Sequence, residues 1–134
     1  MNINADLKKK RLNTLSGEVI GAAMKVHSAL GPGILESAYE ACLHFELKQR
    51  EIQVDSQVAL PIMYYGQRVE AGYRIDLLVE NSLIIELKAV EKISNIHKAQ
   101  LLSYLKLSDF RLGLLINFNV PRLKEGIHRI VNKF

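Results

Sequence analysis

Two short runs rich in Leu, Ile and Val, Arg74-Ile75-Asp76-Leu77-Leu78-Val79 and Leu83-Ile84-Ile85-Glu86-Leu87-Lys88, flank the polar triplet Glu80-Asn81-Ser82. Apolar runs of this length around a polar break read as the two strands of a hairpin. Side chains alternate along a strand, so Glu86 and Lys88 share one face while Ile85, Leu87 and Ala89 take the other. If the whole triplet forms the loop, Val79 lies opposite Leu83 and Asp76 opposite Glu86, with Cβ atoms about 4.5–5.5 Å apart on one face. A two-residue loop would instead send the two carboxylates to opposite faces. Opposed carboxylates repel and raise each other's pKa, and charge on a core strand carries a desolvation cost. A divalent cation between Asp76 and Glu86, with Lys88 beside an attacking water, offsets both, and describes a metal-dependent hydrolase of phosphodiesters. The competing reading is a plain Glu86–Lys88 salt bridge on an exposed sheet face.

Elsewhere the apolar spacing sets out the other elements. Leu15, Val19, Ala22, Ala23, Val26 and Leu30 recur at helical intervals, giving a helix over about 13–30 with Asn13 or Thr14 as its N-cap. Gly31-Pro32-Gly33 ends it. A second helix spans about 35–50, with Ala38, Leu43 and Leu47 on its buried side. Strand character then covers about 52–59, 60–65, 69–79 and 83–90, with a turn at Gly66-Gln67. A third helix follows over about 95–107 and another apolar strand over 111–117, while the tail at 126–133 fits a last strand or a short helix. Helices followed by a meander and a crossover helix imply an α/β (α+β) fold, a mixed sheet flanked by helices.

One domain over residues 13–134, preceded by a flexible basic leader over 1–12, accounts for the chain's 134 residues. No apolar run approaches the roughly 18–20 residues that span a bilayer, and the N-terminus lacks a signal peptide's apolar core. Lone Cys42 excludes an internal disulfide and fits a small apolar helix residue; its solitude suits a reducing, cytoplasmic compartment. A net charge of +4 is compatible with a polyanionic partner. The run Lys8-Lys9-Lys10-Arg11 reads either as a solvated tail or as a phosphate-contacting arm.

The chain resembles the PD-(D/E)XK nuclease superfamily, and within it the small GxxExxY-type proteins. Gly33-Ile34-Leu35-Glu36-Ser37-Ala38-Tyr39 matches the naming motif, and Asp76 with Glu86 and Lys88 matches the Asp…ExK signature. Gln100-Leu101-Leu102-Ser103-Tyr104 is similar to the QxxxY element of RecB-type nucleases. The three fall in the family's order between about Leu15 and Asn117; the superfamily's proline before the aspartate is replaced by Ile75. The resemblance implies a restriction-endonuclease-like fold. It makes Asp76, Glu86, the backbone carbonyl of Leu87 and Glu36 ligands of Mg²⁺ or Mn²⁺, hard cations that favour oxygen donors. Lys88 would orient or help deprotonate the water and stabilise charge on the phosphate. Tyr39 would position Glu36 or touch substrate, and Gln100 and Tyr104, at i and i+4, would border the centre.

Supporting roles fall to Arg74, which pairs with a carboxylate or holds substrate, and to His97, which contacts a phosphate or assists the leaving group, or else is a solvated helix residue. Asn117 and Lys92 are rim candidates. The expected function is a divalent-metal-dependent nuclease with DNA as partner and no membrane; the alternative is a non-catalytic nucleic-acid-binding or scaffold domain on the same fold. A homodimer is a further expectation, since cutting both strands with one small site per chain needs two copies. No major-groove reading helix or aromatic stacking cluster stands out in the sequence.

Overall fold

The computed structural model describes residues 3–134. Its elements run α1 (Ile3–Leu30), α2 (Glu36–Gln49), β1 (Val54–Ala59), β2 (Ile62–Tyr64), β3 (Gln67–Val69), β4 (Arg74–Val79), β5 (Leu83–Lys88), α3 (Asn95–Ser108), β6 (Leu112–Asn117), a 3-10 turn (Leu123–Gly126) and β7 (Ile127–Val131). Five strands form one mixed sheet in the order β1-β4-β5-β6-β7, while β2 and β3 pair only with each other. The β5–β6 pair is parallel and the other neighbours are antiparallel. A parallel pair needs a crossover, and α3 supplies it.

Helices cover both faces, which is why β5 and β6 are apolar almost throughout rather than alternating. On one face the α1 stripe of Leu15, Val19, Ala22, Ala23 and Val26 and the α2 residues Tyr39, Leu43 and Leu47 pack on Leu77, Val79, Ile85 and Leu87. On the other, Leu101, Tyr104 and Leu105 of α3 pack on Leu78, Ile84 and Leu115. Among the described residues no helix is long and apolar enough to cross a membrane.

Two stretches differ from the sequence expectation, and a third resolves an open choice. Helix α1 begins at Ile3 rather than near Asn13, so the basic run Lys8–Arg11 is helical and the first two leader positions lie outside the described residues. Asn13 and Thr14 are therefore not caps; Thr14 Oγ1 donates back to the Lys10 carbonyl at 3.1 Å, one turn earlier. The Lys, Arg, Leu and Ala residues ahead of them are good helix formers, and nothing in that stretch breaks the helix. The expected strand over 69–79 is interrupted between Val69 and Arg74, where Gly72 turns the chain at φ +79°. Of the two readings of the tail, the strand holds, as β7 closes the sheet edge beside β6.

Candidate active site

The β4–β5 connection decides where the carboxylates go. Leu77↔Ile85, Leu78↔Ile84 and Val79↔Leu83 are paired, so the loop is Glu80-Asn81-Ser82, with Glu80 and Asn81 both at φ +50°. This register carries Asp76 to the position opposite Glu86. There the regular ladder stops and the side chains replace it. Asp76 Oδ2 accepts the Leu87 N–H at 2.9 Å, and the Asp76 N–H donates to Glu86 Oε1 at 3.3 Å.

Asp76 is irregular on its other edge as well. The β1–β4 pairs run from Ser56↔Leu77 to Val58↔Ile75, and Gln57 between them is left-handed at φ +52°. Alternation also fails here: Ile75 joins the α3-side cluster with Leu78 rather than the cluster of Leu77 and Val79. Departures of this kind concentrate where a strand re-aims a side chain. Gln57 Nε2 donates to Asp76 Oδ1 at 3.3 Å and to Glu40 Oε1 at 2.7 Å. One neutral amide thus bridges two carboxylates and ties α2 to the sheet.

Glu86 is 6 % exposed, and no cation lies within ion-pair distance of it among the described residues. Burial first, and then the adjacent Asp76 carboxylate, push its pKa up to about 9. The simple Glu86–Lys88 salt bridge is absent. Lys88 is half-buried beside the pair and lowers the Glu86 pKa only weakly. On α3, Tyr104 is buried, and its hydroxyl pKa is raised by that burial and then by Glu86, Tyr73 and Asp76. Tyr104 therefore lies within electrostatic reach of the carboxylate pair. Gln100, one turn earlier, is exposed.

Several of the expected site residues are placed differently. Glu36 is exposed at the first position of α2 and is not drawn to Asp76 by a hydrogen bond; its charge is felt by Glu40. Glu40, one turn along, is the α2 carboxylate bonded into the site, with a pKa raised by burial and then by Asp76 and Glu36. The sequence signal for it was the i, i+4 spacing from Glu36, which sets both acids on one helix face. Tyr39 is fully buried and stacks on Phe118 at 4.4 Å between ring centroids. Its hydroxyl donates to the Gly31 carbonyl at 2.5 Å and accepts the Ile34 N–H at 3.2 Å. Tyr39 thus braces the Gly31-Pro32-Gly33 turn ahead of α2, with its hydroxyl held by that backbone. It holds the place on the buried stripe expected for Ala38.

His97 belongs to the α3 cap: its Nδ1 accepts the Ser94 N–H at 3.0 Å and its own N–H donates to Ser94 Oγ at 3.3 Å. Arg74 Nη1 reaches the Gln57 carbonyl at 3.4 Å and pairs with no carboxylate among the described residues. Asn117 is buried rather than at the rim, with its amide bonded to both backbone groups of Val90. Lys8–Arg11 line a groove with Glu80, Ser82 and Asp109, at the β4–β5 turn end of the sheet and away from Asp76.

Among the described residues no group of three or more His, Cys, Asp and Glu is drawn together tightly enough to hold a metal ion. The donors that are assembled are the two carboxylates of Asp76 and Glu86. Two apposed carboxylates, one of them buried, with no cation paired to them are the donor chemistry that suits a hard divalent ion, so the residues fit such a group.

A family model described as the PD-(D/E)XK nuclease superfamily matches residues 13–130, and the chain belongs to that superfamily. Its α+β architecture is accordingly of the restriction-endonuclease-like kind, and the membership supports a nuclease-type function. No curated protein and no solved structure matches the chain.

Proposed function

We propose that this protein is a divalent-metal-dependent nuclease that hydrolyses phosphodiester bonds of DNA. The observation that carries the reading is the apposition of Asp76 and buried Glu86, two carboxyl groups set side by side with no counter-ion among the described residues. Asp76 and Glu86 would hold Mg²⁺ or Mn²⁺, with the Leu87 carbonyl and an α2 carboxylate, Glu36 or Glu40, completing the oxygen set. The ion, when bound, supplies positive charge to the scissile phosphate and acidifies water.

The protein's own groups have distinct tasks. Glu86 must release its proton to serve as a ligand, so its activity rises with pH. Gln57 and the Leu87 N–H fix the Asp76 carboxylate from two directions. Lys88, on the Glu86 side of β5, orients the attacking water or takes its proton, and stabilises charge that develops on the phosphate. Tyr104 packs on the α3 side of the sheet, within electrostatic reach of the same centre.

The absence of a converged group of three or more ligands among the described residues favours a second reading, a nucleic-acid-binding or scaffold domain that does not cleave. Calorimetric titration of Mn²⁺ and Mg²⁺ into wild type and Glu86→Ala separates the two, with single- and double-stranded DNA and RNA incubated alongside. Saturable metal binding lost in the variant, with cleavage also lost in Lys88→Ala, is the expected result. Wild type that binds no metal overturns the nuclease. Light scattering on the same samples reads whether a homodimer forms.

A further inference from the structure

The chain has five tyrosines, and they divide sharply. Tyr39 and Tyr104 are buried, whereas Tyr64, Tyr65 and Tyr73 are 63 %, 90 % and 42 % exposed within ten consecutive positions. Met63 and Val69 of the same segment are exposed too, at 58 % and 41 %. The segment is the β2–β3 hairpin and its return to the sheet. It shares no ladder with the five-stranded sheet, and a lone two-stranded hairpin is marginal in water. A structure that presents apolar rings on such an element leaves them for contact with something else.

Its position relates it to the site. The hairpin leaves the main sheet after Ala59 and returns at Arg74, which are paired with each other, two residues before Asp76. The Tyr73 ring lies edge-on to Tyr104, 5.9 Å between centroids, and the charges of Glu86 and Asp76 act on Tyr104. The Tyr73–Tyr104 pair thus links the root of the hairpin to the α3 side of the sheet, near enough to the carboxylates for their charge to act on Tyr104. Tyr64 and Tyr65 form a second edge-on pair 4.7 Å apart at the hairpin turn. In the chain, Arg74 lies between Tyr73 and Asp76; its guanidinium is bonded only to a backbone carbonyl among the described residues and so is free to meet a phosphate.

We propose that the β2–β3 hairpin together with Tyr73 is a stacking surface for unpaired bases, so that the strand presented to the site is single-stranded nucleic acid. Exposed rings beside an uncommitted arginine match the alternation of base face and phosphate along a single strand, and stacking of this kind tolerates any sequence. A duplex keeps its base faces stacked on one another and offers none to a tyrosine. The proposal deepens the nuclease reading by naming its substrate class, yet the binding it predicts is measured without cleavage.

Fluorescence anisotropy of a labelled single-stranded oligodeoxythymidylate and of a duplex of equal length, both in EDTA, provides the test. Tyr64→Ala/Tyr65→Ala should weaken single-strand binding about tenfold or more. Tyr64→Phe/Tyr65→Phe, which keeps the rings, should restore it, and Arg74→Ala should flatten the salt dependence rather than mimic the tyrosine loss. Circular dichroism checks that each variant folds. The proposal is overturned if the alanine variant binds the single strand as wild type does, if wild type prefers the duplex, or if the rings' loss changes only self-association, which would mark the hairpin as a contact between copies. Metal-dependent cleavage by wild type is read separately. Its absence would remove the nuclease reading while a tyrosine-dependent affinity still upheld the stacking surface.

Discussion

Replacing Glu86 by glutamine isolates the electrostatic cost that the fold accepts at this position. Gln is nearly isosteric and retains an oxygen for the Asp76 N–H, so the change removes the titration and little else. In the folded protein the Glu86 pKa stands at about 9 against 4.5 for the free group. The folded state therefore holds a proton that the unfolded chain releases once the pH passes 4.5. For a group with a raised folded pKa, the stabilisation is fully present below the unfolded value and is lost as pH climbs toward the folded one. Across that window the loss runs at about 1.4 kcal/mol per pH unit, one proton's linkage. Between pH 6 and pH 8, wild type should thus lose roughly 3 kcal/mol relative to Glu86→Gln. Titrations elsewhere in the molecule cancel in the difference. Urea unfolding followed by circular dichroism suits the assay, since the chain has no tryptophan, with EDTA present throughout. Repeating the pH 8 curves in Mn²⁺ should raise wild type and leave the variant unmoved. Curves for the two proteins that stay parallel across pH would refute the reasoning, because Glu86 would then be ionised in both states.

Gln57→Ala should leave Asp76 and Glu40 without their shared donor and lower stability by about 1–2 kcal/mol, read as a urea midpoint, while weakening Mn²⁺ binding. Gln57→Glu should be worse on both counts, since it sets a third carboxylate between the two. Tyr39→Phe keeps the stack on Phe118 but strands the Gly31 carbonyl and the Ile34 N–H; a loss of about 1–3 kcal/mol with metal affinity unchanged is expected from parallel denaturation and calorimetry. A Cβ at Gly126 would fall 2.1 Å from the Asn117 carbonyl oxygen, so Gly126→Ala should cost about 3 kcal/mol or more and show as a lowered Tm.

What could be read from the sequence was whatever depends on whole-number periodicity. Counting Glu80-Asn81-Ser82 as the loop was enough to set Asp76 opposite Glu86, because a strand's period of two leaves no intermediate answer. The helices α2 and α3 followed instead from apolar residues recurring three and four apart, and β6 from a short apolar run. The failures have local causes. The extra turns of α1 were hidden because Asn13 and Thr14 look like caps, and a cap is recognised only when the residues before it are not helical. Val69–Val79 reads as one apolar strand until Gly72 takes a positive φ, which composition does not reveal. The motif pointed to Glu36 and Tyr39, yet spacing places Tyr39 in line with Leu43 and Leu47 at intervals of four, and that stripe is buried. Glu40 and Gln57 lay outside every motif, and only the left-handed backbone at Gln57 brings its amide between Glu40 and Asp76. The aromatic cluster not expected from the sequence comes from folding Tyr73 back beside Tyr104, thirty-one positions along the chain.

The hydrogen bond from the Leu87 N–H to the Asp76 carboxylate makes one backbone amide an observer of the site. Every strand amide that donates to a carbonyl has a partner whose charge never changes; this one has a partner that does. Its proton resonance and its rate of exchange with deuterium should therefore register any event at Asp76, whether protonation, metal capture or the arrival of a phosphate. The neighbouring amides of β5 would report nothing. A single assigned peak could then follow occupancy of the centre.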